Sequence, residues 1–212
     1  MSRRECEIQL SLQLPAGSET VSSVLEGTLL HLLATPCVYQ KLKDEISNAI
    51  HNGVISDPIT NEEAKKLPYL QVMFGQALVS RNQGRSTNFV QAIIYEGLRI
   101  MPPALNGFPK QVPPEGDTIQ GVFVPGGTEI FINIWNMARN EDIFGPDVET
   151  FRPERFLESS EEGRARMMKI VDLVFGHGRW QCPGKLLALI ELNKIFVQVS
   201  RKLLIHWPFV IR

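Results

Sequence analysis

Phe175-Gly-His-Gly-Arg-Trp-Gln-Cys-Pro-Gly184 is the stretch on which the reading of this chain turns. It places one cysteine, Cys182, in a glycine-rich loop just ahead of an apolar run with helical character, Lys185 to Val199. At such a junction a thiol meets backbone N–H groups and the positive end of a helix dipole. Both favour the thiolate, the form that binds metal. The alternative reading of the decapeptide is a buried cysteine following a turn.

The bulk properties narrow the possibilities. With 212 residues, 43 % of them hydrophobic, and a formal net charge of −1, the chain suits one large globular domain or two small ones and carries no nucleic-acid signature. Its cysteines (Cys6, Cys37 and Cys182) are too few and too scattered for a disulfide framework or a zinc site, and neither CxxC nor HExxH is present. Met1 to Glu7 is polar and charged, and no apolar run approaches the ~20 residues of a membrane span. No signal peptide or anchor is therefore expected, and the chain reads as soluble.

Periodicity predicts a mainly α protein with small β-sheets. Val21, Val24, Leu25, Leu29, Leu32 and Leu33 share one face of a helix over 19–35, which Pro36 ends. A second helix is predicted over Val38 to Ile50, and a short one over Thr60 to Lys66 behind the capping box Thr60-x-x-Glu63. Ala92 to Ile100 is helical and closed by Pro102-Pro103, and Ser159 to Ile170 is a charged helical segment. Thr118 to Trp135 carries strand signals, with Gly126-Gly127 as the expected hairpin turn between Val122–Val124 and the run from Glu129 to Ile134. Phe144 to Phe156 reads as an ordered loop.

The pattern Phe175-x-x-Gly178-x-x-x-Cys182-x-Gly184 resembles the haem-binding loop of the cytochrome P-450 monooxygenases. That resemblance implies Cys182 as the axial ligand of the iron of haem b, with Phe175 shielding the sulfur and Gly178 and Gly184 letting the loop pass close to the porphyrin. Glu96-Gly-Leu-Arg99 is commonly no more than a solvated i,i+3 pair. Here Phe151-Arg-Pro-Glu-Arg155-Phe and the cysteine loop follow it in the family's order. The resemblance then implies a buried network of Glu96, Arg99 and Arg155 that holds the loop presenting Cys182.

Ala16-Gly-Ser-Glu19-Thr20 resembles the family's oxygen-activating segment, which makes Glu19 and Thr20 the candidate catalytic acid–alcohol pair for proton delivery. In isolation the same residues read as a helix start. Pro15 fits that reading, because in a helix interior it costs about 3 kcal/mol. Arg179, Trp180 and Lys110 fall at or beside positions where the family binds the haem propionates. Lys110 also reads as a solvated surface lysine, and His177 as a polar loop residue.

The resemblance spans nearly the whole chain but only the C-terminal half of a monooxygenase, so 1–212 reads as a partial haem domain with the C-terminal portion of the cytochrome P-450 fold. Leu67-Pro-Tyr-Leu-Gln71, Pro125-Gly-Gly-Thr128 and Gly178-Arg-Trp-Gln-Cys182 look most like the fungal pisatin demethylase-like group. The implied function is insertion of one oxygen atom from dioxygen into a small organic substrate, a secondary metabolite or xenobiotic. An NADPH-dependent reductase supplies the electrons, and a full-length member sits at the endoplasmic reticulum membrane. The competing readings are a non-catalytic truncated fragment or gene-model product, and a member that rearranges or dehydrates without a reductase. Residues 72–91 have no counterpart in the family pattern, and removing them joins Gln71 to Ala92 in a continuous phrase. Because this piece begins with Val and ends with Gln, it reads as an intron retained in frame; the alternative is a genuine surface insertion.

Overall fold

The computed structural model describes residues 2–67 and 89–206, and these are mostly helical, as predicted. Helix α1 runs from Arg3 to Leu33. Ser2 starts it through a capping box: its hydroxyl accepts the Glu5 N–H, and the Glu5 carboxylate accepts the Ser2 N–H. The helix thus begins well upstream of residue 19. Ser18, Glu19 and Thr20 are interior residues, not caps, and Pro15 lies inside the helix. Proline removes one N–H, the partner of the Ser11 carbonyl, and this stretch is exposed, so water can serve that carbonyl. Four hydroxyls back-bond along the same stretch: Ser11 to the Glu7 carbonyl, Ser18 to Leu14, Thr20 to Ala16 and Ser22 to Ser18.

Helix α2 (Pro36–His51) begins with its proline in the first turn, and α3 (Asn61–Lys66) uses the predicted capping box. Helix α4 spans Phe89–Ile100. Of the segment 72–91, residues 72–88 lie outside those described. The last three form the first turn of α4, where Val90 is buried.

The β structure departs from the expected hairpin. Strand β1 (Lys110–Gln111) pairs with β4 (Glu129–Ile130), and β2 (Asp117–Ile119) pairs with β3 (Val122–Val124), both antiparallel. Val122–Val124 therefore pairs upstream, not across Gly126-Gly127. The reason is Gln120-Gly121, whose φ values of 51° and 83° form a two-residue turn that fits strand twist. Pro125 cannot donate to a continuing ladder. Gly126 is needed for a different contact, because a Cβ there would fall 2.3 Å from the Pro114 carbonyl oxygen.

Short helices follow: α5 (Ile134–Met137), α6 (Glu141–Phe144), α7 (Arg155–Glu158) and α8 (Glu161–Val171). The chain then makes two single 3₁₀ turns, Asp172–Phe175 and Gly178–Trp180, and ends its described part in α9 (Lys185–His206). Helices α1, α2, α4 and α9 pack on one another around a core that includes Val24, Leu42, Ile46, Ile93, Leu98 and Phe196. Helices α1 and α4 lie close because glycines face side chains. A Cβ on Gly97 would fall 1.9 Å from Thr28 Oγ1, and one on Gly27 would fall 2.6 Å from Met101 Sδ. Among the described residues no single helix is long and apolar enough to cross a membrane.

Candidate functional site

Helix α4 carries the buried end of the site. Ile93, Ile94 and Leu98 anchor it in the core, which draws Glu96 and Arg99 out of water on the same helix. Glu96, Arg99 and Arg155 are all buried, and each gains partners that offset desolvation. Glu96 Oε2 accepts from Arg99 Nε at 2.8 Å. Its Oε1 accepts from Arg99 Nη2 at 2.8 Å, Arg155 Nε at 3.1 Å and the Arg152 backbone N–H at 2.8 Å.

The remaining guanidinium donors staple an irregular segment to α4. Arg99 donates to the carbonyls of Ala138, Val148 and Thr150, and Arg155 to those of Phe144, Asp147 and Thr150. Two buried cations face one buried anion, and Asp147 supplies the balancing charge, with Oδ1 3.1 Å from Arg155 Nη1. Hydrogen bonds from Arg152 first, and then Arg155, hold the Asp147 carboxyl below its ordinary value. The predicted trio is therefore assembled as one network. Asp147 and Arg152 belong to it, although the sequence reading passed over both.

The loop from Asp172 to Lys185 presents Cys182. The Cys182 backbone N–H donates to the Phe175 carbonyl at 2.6 Å, closing the loop on itself. Gly176 has φ +73°, and a Cβ there would strike the Trp180 carbonyl oxygen at 2.5 Å, so this glycine permits the closure. The resemblance points to Gly178 and Gly184 instead, whereas the alternation Gly176-x-Gly178 carries the signal for this glycine. Gly178 has φ +59° and its Cβ position faces open space, while a Cβ on Gly184 would lie 3.7 Å from Cys182 Sγ.

Cys182 is an exposed free thiol. It opens onto a hollow of about 500 Å³ lined by Gly178, Gln181, Cys182, Pro183, Lys185, Leu186 and Leu189. That volume lies within the roughly 300–1,000 Å³ usual for cofactor sites. Leu186 at the mouth is 72 % exposed, although it opens a helix whose Leu192, Phe196 and Val197 are buried. Beside the loop, Lys110 Nζ lies 4.5 Å from the Trp180 ring centroid and Arg179 Cζ lies 4.9 Å from it. The structure thus brings Lys110, Arg179 and Trp180 together. Glu19 and Thr20 lie on the exposed face of α1, where the Thr20 hydroxyl donates to the Ala16 carbonyl at 2.8 Å.

The donor set tests what the hollow suits. Among the described residues no group of three or more His, Cys, Asp or Glu side chains could hold a bare metal ion. A single thiol beside an apolar wall instead fits an iron whose other ligands arrive with a macrocycle. The chain matches the family description Cytochrome P450 over residues 1–78 and 80–206.

The chain belongs to the cytochrome P450 family. It is 42 % identical over 203 residues to Cytochrome P450 monooxygenase ABA1 of Pyricularia oryzae, a match covering 95 % of this chain and 36 % of that protein. It is 40 % identical over 201 residues to Cytochrome P450 monooxygenase aba1 of Botryotinia fuckeliana, with 95 % and 36 % covered. Cytochrome P450 monooxygenase ACRTS1 of Alternaria alternata is 34 % identical over 187 residues, covering 88 % of this chain and 44 % of that protein. The chain therefore spans little more than a third of the length of its first two relatives. Cytochromes P450 depend on haem and use dioxygen, a substrate and a redox partner. The mainly helical architecture with two small antiparallel sheets agrees with part of the P450 fold.

Proposed function

We propose that this chain forms the proximal part of a haem-thiolate monooxygenase acting on a small organic substrate. The observation that carries the reading is the exposed Cys182 thiol at the mouth of an apolar hollow, in a loop closed by its own backbone. Cys182 Sγ would bind the iron of haem b, and Phe175, Gly178 and Gly184 would shape the loop around it. Lys110, Arg179 and the Trp180 indole N–H, gathered on one side of that loop, suit the propionate carboxylates. When bound, the haem supplies dioxygen activation, the part of the chemistry that side chains cannot perform.

The chain's own residues do the rest. The Glu96–Arg99–Arg155 network fixes the segment from Ala138 to Arg155. On α1, the Thr20 hydroxyl donates to the Ala16 carbonyl, and on leaving that bond it would pass its proton on as the alcohol of the acid–alcohol pair. The neighbouring Glu19 carboxyl would give Thr20 a replacement proton and take one up from water in turn. An NADPH-dependent reductase is the proposed electron donor, and the endoplasmic reticulum membrane the proposed location of a full-length family member.

One observation favours a second reading, a non-catalytic fragment that does not complete the site. Ile8, Leu10, Leu12 and Leu14 of α1 and Phe108 beside β1 are exposed, apolar surface that nothing among the described residues covers. Haem titration of the purified chain, followed by reduction and exposure to carbon monoxide, separates the two. A stoichiometric complex with the red-shifted Soret band of a thiolate-ligated haem supports the enzyme reading; no haem uptake overturns it.

A further inference from the structure

We propose that Tyr95, Asp172 and Lys185 form a strap that positions the Cys182 loop and links it to the buried Glu96 network. The inference rests on the haem-thiolate reading and names residues outside the ligand loop motif. Asp172 stands where the loop begins and Lys185 where it ends. Lys185 Nζ lies 2.9 Å from Asp172 Oδ2, and the two side chains are 23 % and 34 % exposed. The pair is therefore screened only in part, and it ties the two ends of the loop together.

Asp172 has a second partner. Its Oδ1 accepts from the Tyr95 hydroxyl at 3.4 Å. Tyr95 directly precedes Glu96 in α4, and its ring lies 6.0 Å from that of Phe156, the neighbour of Arg155. On the other side, Lys185 Nζ lies 5.5 Å from the centroid of Phe175, whose carbonyl accepts the Cys182 N–H.

This route answers a question the network itself leaves open. Among the described residues, the hydrogen bonds of Glu96, Arg99 and Arg155 end on one another and on the segment from Ala138 to Arg152. None reaches the cysteine loop. The strap spans that gap, running from α4 through Tyr95 to Asp172, then to Lys185 and the Phe175–Cys182 closure. Lys185 also lines the hollow onto which Cys182 opens. All three are positioning residues, with no role in the oxygen chemistry.

The test uses the 212-residue chain loaded with haem, reduced and exposed to carbon monoxide, in wild type, Lys185→Met, Asp172→Asn, Lys185→Arg and the charge swap D172K/K185D. The readouts are the fraction of complex lacking the red-shifted Soret band and the haem midpoint potential. In Lys185→Met and Asp172→Asn the unshifted fraction rises about threefold, the scale of a partly screened ion pair. The potential of Lys185→Met falls, because a cation beside the reducible centre is lost. Lys185→Arg stays at the wild-type fraction, and the charge swap recovers part of it.

A wild type without the red-shifted band overturns the haem-thiolate reading and this inference with it. A wild-type band matched by unchanged Lys185→Met and Asp172→Asn overturns the strap alone. Should those two variants also unfold the haem-free chain, the conservative variant and the swap decide. Loss of the band in both overturns the strap, and its recovery supports it.

Discussion

Replacing Glu96 by glutamine perturbs the network at its only buried anion. The glutamine keeps the volume and one carbonyl oxygen but turns the other oxygen into an amide that faces guanidinium donors. Four hydrogen bonds of 2.8–3.1 Å converge on the carboxylate, and Arg99 and Arg155 are buried with it. The variant leaves two buried guanidiniums with only Asp147, on Arg155, as a counter-charge in the network. Breaking a buried pair in this way costs about 3–5 kcal/mol, against a total stability of roughly 5–15 kcal/mol. At ~2–4 °C per kcal/mol for a domain of this size, the melting midpoint falls by roughly 6–20 °C. Urea unfolding followed by far-UV circular dichroism measures the loss, and the double variant Glu96→Gln with Arg155→Met should cost less than the sum of the singles. A loss below about 1 kcal/mol for Glu96→Gln, with an unchanged denaturant slope, would refute the claim that this carboxylate neutralises the core cations.

Three other outcomes are expected. Gly97→Ala drives a Cβ to 1.9 Å from Thr28 Oγ1 and should cost about 1–3 kcal/mol; Thr28→Ala should rescue it only in part, because the Thr28 Cβ stays 2.9 Å away. Burial without a hydrogen-bond partner pushes Glu45 up to about 9, so the folded state retains a proton the unfolded chain has released, and stability falls as pH rises from about 5 to about 9. Glu45→Gln should flatten that fall, and a variant whose urea midpoints track wild type across the window would contradict it. Asp147 has the opposite sign: its depressed value adds stability above the ordinary carboxyl range that is lost on acidification, so Asp147→Asn should lower the urea midpoint at pH 7 and the gap to wild type should narrow as pH falls below that range.

Ordered motifs made much of the site legible before the fold. Glu96, Arg99 and Arg155 could be grouped because helical spacing unites the first two and a Pro-rich phrase marks the third, and the structure joins all three by ion pairs. The capping box at Thr60 and the proline opening α2 were local signals and met no competition. Pro15 misled because a proline argues for a helix start, whereas Ser2 and Glu5 supply a stronger one twelve residues or so earlier. The hairpin was misplaced because two glycine-containing turns competed, and the preference lay in the φ values of Gln120 and Gly121, which composition does not reveal. The Asp172–Lys185 pair was invisible for another reason. Its members bracket a loop of no fixed period, so no spacing rule brings them together.

The central claim is a bond between Cys182 Sγ and haem iron. X-ray absorption at the iron edge of the haem-loaded chain, wild type beside Cys182→Ser, tests it without reference to turnover. Thiolate ligation puts one sulfur neighbour at the iron in the wild type and leaves only lighter ligands in Cys182→Ser. Iron without a sulfur neighbour in the wild type, or with one that persists in Cys182→Ser, would contradict it.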